Sequence, residues 1–93
     1  MFTVEKNATF NSSLLLILKY IAKDSPTNAR KFKTQLDKKI KNIPNMPFKA
    51  RKSLHIDDEH TRDLIFKGYT IPYYIDEIHS IIIILDIFKW QDK

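Results

Sequence analysis

The stretch "LLLILKYIAKDSPTNARKFKTQL", residues 14–36, decides the fold, because it holds two helical patterns with a stop between them. Leu14, Ile17, Leu18 and Ile21 recur at the three- and four-residue steps of one helix face. Asn11, Ser12 and Ser13 offer capping oxygens just ahead, so a first helix is expected to start there. Ser25 supplies a second cap, and Pro26 suits a first helical position, where no amide donor is needed. Ala29, Phe32, Leu36, Ile40 and Ile43 form the inward stripe of the second helix, while Lys31, Lys38, Lys39 and Lys41 fall mainly on its other faces. "NIPNMP", residues 42–47, ends that helix, because proline cannot continue the hydrogen-bond ladder. Two helices of comparable length on a short turn make an antiparallel hairpin.

Outward from the hairpin the period becomes that of strands. "FTVE", residues 2–5, alternates apolar and polar and reads as a first strand. After Pro47, "ARKSLHID" (50–57), "RDLIFKG" (62–68), "YTIPYYID" (69–76) and "HSIIIILDIFKW" (79–90) read as extended, with Gly68 and "DEIH" (76–79) as turns. Ile81 to Ile84 are apolar on both faces, which places that strand inside the sheet and its side chains in the core. Pro72 removes a ladder donor and points to a sheet edge or a bulge. The expected architecture is α+β, one domain over residues 1–93. An N-terminal strand precedes an antiparallel helix hairpin packed on one face of a curved antiparallel sheet of three to four further strands, in the order β-α-α-β-β-β.

Hydrophobic residues are 43% of the 93 and aromatics 12%, enough to fold without help. With no cysteine, disulfides, zinc–thiolate sites and thiol nucleophiles are excluded, and a reducing compartment is expected. The N-terminus lacks a positive head and its apolar run breaks at Lys19, a poor fit to a secretion signal. "IIIIL" is far shorter than the roughly 20 residues of a spanning helix, so a cytoplasmic protein with no membrane partner is expected. The net charge of +5 is unevenly spread. Residues 19–52 carry eleven lysines and arginines against Asp24 and Asp37, a net +9, which leaves −4 for the rest. Such a block attracts nucleic acid or an acidic protein, and equally fits the solvated face of a helix.

Two groupings could carry chemistry. "HIDDEH", His55 to His60, gathers two histidines and three carboxylates, but without a further ligand it reads as a solvated loop, and no metal is expected. Around the sheet lie Arg51, Lys52, Arg62, Lys67 and Lys89 with Tyr69, Tyr73, Tyr74, Phe88 and Trp90. Cations of this kind hold phosphates, and aromatic faces stack on bases or anchor a partner. One glycine excludes a glycine-rich phosphate loop, and nothing points to a small-molecule cofactor.

The order of these elements resembles the RelE/ParE family of bacterial type II toxins. The matching features are "YIA" then "DSP" at the end of the first helix, Ala29 with Phe32 in the second, and Met46 with Pro47 after it. The sharpest is the spacing Arg62, Leu64, Tyr69, Tyr73 ahead of the last strand. The resemblance implies a growth-arresting toxin held inactive by a cognate antitoxin. Its target would be DNA gyrase for ParE-like members, or mRNA on the ribosome for RelE-like endoribonucleases, which need no metal.

In the nuclease case Arg62, Lys89 and His60 would be catalytic, with Glu59 as an alternative base, and Arg51, Lys52 and Lys67 would hold phosphates. Tyr69, Tyr73, Phe88 and Trp90 are the candidate partner-binding aromatics. Nuclease members usually carry an arginine where this chain has Thr70, and commonly a histidine at the place of Lys89 and an arginine at that of Gln91. The incomplete nuclease set ranks gyrase inhibition first, the ribosome-dependent endoribonuclease second, and a non-toxic basic nucleic-acid-binding module third.

Overall fold

The computed structural model describes residues 1–54 and 56–89. Its first helix, α1, spans Ala8–Asp24, one turn longer at the start than Asn11 to Ser13 suggested. The cap is Asn7, whose side-chain oxygen accepts from the Phe10 amide at 2.9 Å. Phe10 is the reason for the earlier start: it lies on the same face as Leu14 and Ile17, and burying its ring draws the preceding turn into the helix. Asn11 and Ser12 then sit inside the helix on its exposed side.

The second helix, α2, spans Pro26–Asn42 and begins where expected. The Ser25 hydroxyl oxygen accepts from the Asn28 amide at 3.1 Å. All five residues of the inward stripe, Ala29, Phe32, Leu36, Ile40 and Ile43, are buried. A short 3-10 turn over Ile43–Asn45 closes the helix.

Among the described residues six strands form one sheet: β1 Thr3–Lys6, β2 Arg51–Lys52, β3 Thr61–Phe66, β4 Tyr69–Asp76, β5 Ile81–Ile84 and β6 Phe88–Lys89. The order is β1-β5-β4-β3-β2, with β6 continuing along β4. The α+β architecture is as expected, but the sheet is mixed. β1 runs parallel to β5, Thr3 beside Ile81 through Lys6 beside Ile84. A parallel neighbour needs a long crossover, and everything between residues 6 and 81 supplies it. The described residues of "ARKSLHID" contribute the two residues of β2, plus a bond from the Ser53 amide to the Thr61 carbonyl at 2.9 Å.

β5 lies inside the sheet, between β1 and β4. Only alternate residues reach the core, however: Ile82 and Ile84 are fully buried, while Ile81 and Ile83 on the other face are half-buried. Pro72 sits in the middle of a central strand, and the irregularity it needs is in its neighbour. Tyr73 faces Ile84 and Thr70 faces Phe88, so the β5–β6 side has one residue more than β4 across this interval, a bulge. The Leu85 amide donates to the Pro72 carbonyl at 2.9 Å, so the side of Pro72 that lacks a donor points at that interruption and away from β3.

The β3–β4 turn is Lys67–Gly68, both at positive φ (50° and 82°), the two-residue hairpin turn whose twist matches the strands. Phe66 and Tyr69 flank it, and Phe32 of α2 meets both rings edge-on, at 5.2 and 5.4 Å. This locks the helix hairpin onto the β3–β4 face carrying Leu64, Ile71 and Tyr73.

Candidate functional site

The side chains of β3 and β4 hold the chain between α2 and β2 in place. Arg62 and Tyr73 are cross-strand partners. The Tyr73 hydroxyl donates to the Pro47 carbonyl at 2.6 Å. The Arg62 guanidinium donates to the carbonyls of Phe48 (3.4 Å), Ala50 (3.2 Å) and Glu59 (3.3 Å), and lies 5.1 Å from the centre of the Phe48 ring. Backbone oxygens from two loops thus converge on one planar fork. Tyr73 is 2% exposed, and burial pushes its phenol up to about 12, against the opposing pull of the Arg62 charge.

Several other charges around this end are paired. Lys52 reaches Glu59 at 3.0 Å and Asp57 at 3.9 Å; the Glu59 bond raises the ammonium and lowers the carboxyl. His60 lies between Glu77 (3.0 Å) and Asp58 (3.8 Å), 6.0 Å from the Phe48 ring. In the next turn, the His79 amide and ring hold the Asp76 carboxyl below the usual range. Arg51 approaches Asp63 at 3.6 Å. Asp63 is 2% exposed; one carboxylate oxygen accepts from the Leu54 amide at 3.2 Å, and the other has no hydrogen-bond partner among the described residues.

The expected catalytic set is divided. Arg62 and His60 meet around Phe48. Lys89 is exposed on β6 opposite Tyr69, four residues along β4 from Tyr73, about 13 Å at the strand rise. Lys67 is also at that far end, its ammonium 5.7 Å from the Phe66 ring. Tyr69 is half-buried against Phe32, and Phe88 is half-buried opposite Thr70. Thr70 is fully buried. His55 and Trp90 lie outside the described residues.

A groove of about 650 Å³ opens between the end of α2 and the edge of β3. Ile43, Met46, Ala50, Leu64 and Ile65 line it, Lys39, Lys49 and Arg51 rim it, and Tyr73 reaches its inner wall. Met46 is 64% exposed and Ile65 48%. Thr61 bonds toward β2, so Asp63 and Ile65, at the same alternation, aim their backbone groups to that side too. β2 ends opposite Asp63, and among the described residues no strand lies beside Ile65 there. An apolar groove, an open strand edge and a basic rim together suit an extended acidic segment. Sequence reasoning found Tyr73 but missed this groove, since its walls come from three separate stretches, residues 39–51, 63–65 and Tyr73, that only the fold brings together.

A model of the ParE toxin of the type II toxin–antitoxin system parDE matches residues 4–92. The chain belongs to the ParE toxin family. Two solved structures share the fold of this ParE-family chain. A chromosomal ParDE toxin–antitoxin system from P. aeruginosa superposes with a TM-score of 0.78 at 16% identity, over 98% of each chain. A RelBE toxin–antitoxin complex from Mycobacterium tuberculosis gives 0.63 at 20% identity, over 98% of this chain and 93% of that one. A search of curated protein sequences finds no match. Among the described residues of this ParE-family toxin, no helix is long and apolar enough to cross a membrane.

The hydrogen bonds of Arg62 lead to a stability prediction. Arg62→Lys keeps the charge but not the fork, and is expected to lose about 1–2 kcal/mol. Urea unfolding followed by circular dichroism measures this, and a loss under about 0.5 kcal/mol would show that the loop does not depend on the guanidinium.

Proposed function

We propose that this type II toxin arrests growth by binding DNA gyrase, without cleaving RNA, and that a cognate antitoxin silences it by laying an acidic, partly apolar segment into the groove at Ile65. The observation carrying the first part is the engagement of Arg62. Its Nε and Nη1 donors serve three backbone carbonyls, so a two-pronged grip on a scissile phosphate, which needs one of those nitrogens beside Nη2, would break a bond that holds a loop. Two further features agree. The position where nucleases carry an arginine is a fully buried threonine, and Lys89 stands about 13 Å along the sheet from Tyr73, the cross-strand neighbour of Arg62. A cation, a base and a phosphate-holding arginine would need to surround one phosphodiester.

The test is to induce the toxin alone in cells and follow DNA and protein synthesis. Replication is expected to stop first, with DNA breaks and intact messages. Message cuts at the ribosomal A site would overturn the reading in favour of the endoribonuclease. For the antitoxin, Ile65→Asp places a charge at the open edge, facing an acidic partner. It is expected to weaken toxin–antitoxin binding by roughly tenfold or more while leaving the melting temperature nearly unchanged, because Ile65 is an exposed position. Unchanged affinity by calorimetry would place the antitoxin elsewhere.

A further inference from the structure

One strongly charged surface lies apart from the groove and from Arg62. On α2, Thr27, Arg30, Lys31, Thr34, Lys38 and Lys41 are all exposed. At about 100° per residue they fall within an arc of about 100°, directly opposite the buried stripe of Phe32, Leu36 and Ile40. Arg30 to Lys41 spans about 17 Å of helix at the rise per residue. No carboxylate interrupts the stripe. Asp37, at its margin, is turned aside by Lys33 at 2.8 Å and Lys6 at 3.9 Å. Lys31, Lys38 and Lys41 have no ion-pair partner among the described residues, and Arg30 donates only to the Thr27 hydroxyl at 3.4 Å. Between the side chains lies a shallow depression of about 310 Å³, walled by Thr27, Arg30, Lys31, Thr34, Gln35 and Lys38.

We propose that this face of α2 binds the sugar–phosphate backbone of duplex DNA without regard to sequence. Two things select the ligand. The cations are in a line, unneutralised, and spread over a length that covers several successive phosphates, so binding there releases condensed counterions. Between them stand threonine and glutamine, which donate to phosphate oxygens, and no apolar side chain. A protein interface needs an apolar or aromatic centre, and this face offers none. The surface is separate from the groove and from the gyrase assignment, so it stands or falls independently of both. In the cell it would hold the toxin beside DNA.

The test is fluorescence anisotropy of the full chain with a labelled mixed-sequence duplex of about 20 base pairs, between 50 and 200 mM KCl. Binding is expected to be indifferent to sequence, with log K falling against log salt at a slope of about −3 to −4, four cations at about 0.9 each. Lys31→Glu with Lys38→Glu is expected to weaken binding by roughly tenfold or more. Lys19→Glu with Lys23→Glu makes the same change of net charge on exposed positions of α1 and is expected to weaken it by less than about threefold. Equal losses in the two pairs would reduce the effect to net charge and overturn the proposal. So would polyglutamate displacing the toxin as well as unlabelled duplex does per unit charge, which would make the face a docking site for acidic protein. Lys31→Ala with Lys38→Ala, checked by thermal melting, guards against a folding artefact; full DNA affinity in that variant also overturns it.

Discussion

Phe32→Ala is expected to lower the unfolding free energy by about 3–5 kcal/mol, the largest single loss available on α2. The ring is buried, and it alone meets both Phe66 and Tyr69 edge-on at the tip of the β3–β4 hairpin. Truncation removes the transfer free energy of an aromatic ring, leaves a cavity between a helix and a sheet that cannot close on each other, and deletes two ring–ring contacts. Phe32→Leu keeps most of the volume and should lose about 1–1.5 kcal/mol. Guanidinium unfolding at fixed pH measures both, and the m-value should stay unchanged if only the native state is affected. A loss under about 1 kcal/mol for the alanine variant would mean that α2 is held on the sheet elsewhere, by Leu36 and Ile40. The consequence for function runs along the same helix. Its far end supplies Lys39 and Asn42 to the groove and leads straight into Ile43, so loosening α2 should also weaken antitoxin binding.

What could be read in advance follows the range of each interaction. Ser25, Pro26 and the stripe from Ala29 to Ile43 were legible because a cap and a helical period are local in sequence. The start of α1 was not, because it depends on the burial of Phe10 and not on the three capping-type residues after it. The parallel seat of β1 on β5 joins residues more than seventy positions apart, and no local pattern encodes it. Pro72 by itself points to a sheet edge or a bulge, and the strand is central, so the irregularity is a bulge, carried by residues 85–87 of the neighbouring segment.

At the site, the spacing of Arg62 and Tyr73 was visible, while their partners were invisible for a physical reason. The acceptors at residues 47, 48, 50 and 59 are backbone carbonyls, which every residue type supplies alike. Side-chain identity therefore suggests a catalytic arginine and a binding tyrosine, and the fold uses both to fix a loop. The groove beside that loop, proposed above to take the antitoxin, is the surface that side-chain identity alone does not reveal.

Tyr73 makes that loop sensitive to alkaline pH. The phenol has its ordinary value near 10 in the unfolded chain and about 12 in the folded one, because burial disfavours the phenolate. Below pH 10 both states hold the proton and the stabilisation is complete. From pH 10 to 12 the unfolded state releases it first, so stability falls as pH rises, by about 1.4 kcal/mol per unit and about 2–3 kcal/mol in all. Tyr73→Phe removes the titration along with the hydroxyl bond to Pro47, a bond contributing about 1 kcal/mol. Wild type should therefore be the more stable protein at pH 8, the two should match near about pH 11, and the phenylalanine variant should be the more stable at about pH 12. Urea midpoints at several pH values measure it, and a difference that stays constant from about pH 9 to 12 would show that the Tyr73 phenol ionises as readily folded as unfolded. A crossing would tie the loop at Pro47, and with it the wall of the groove, to one buried proton.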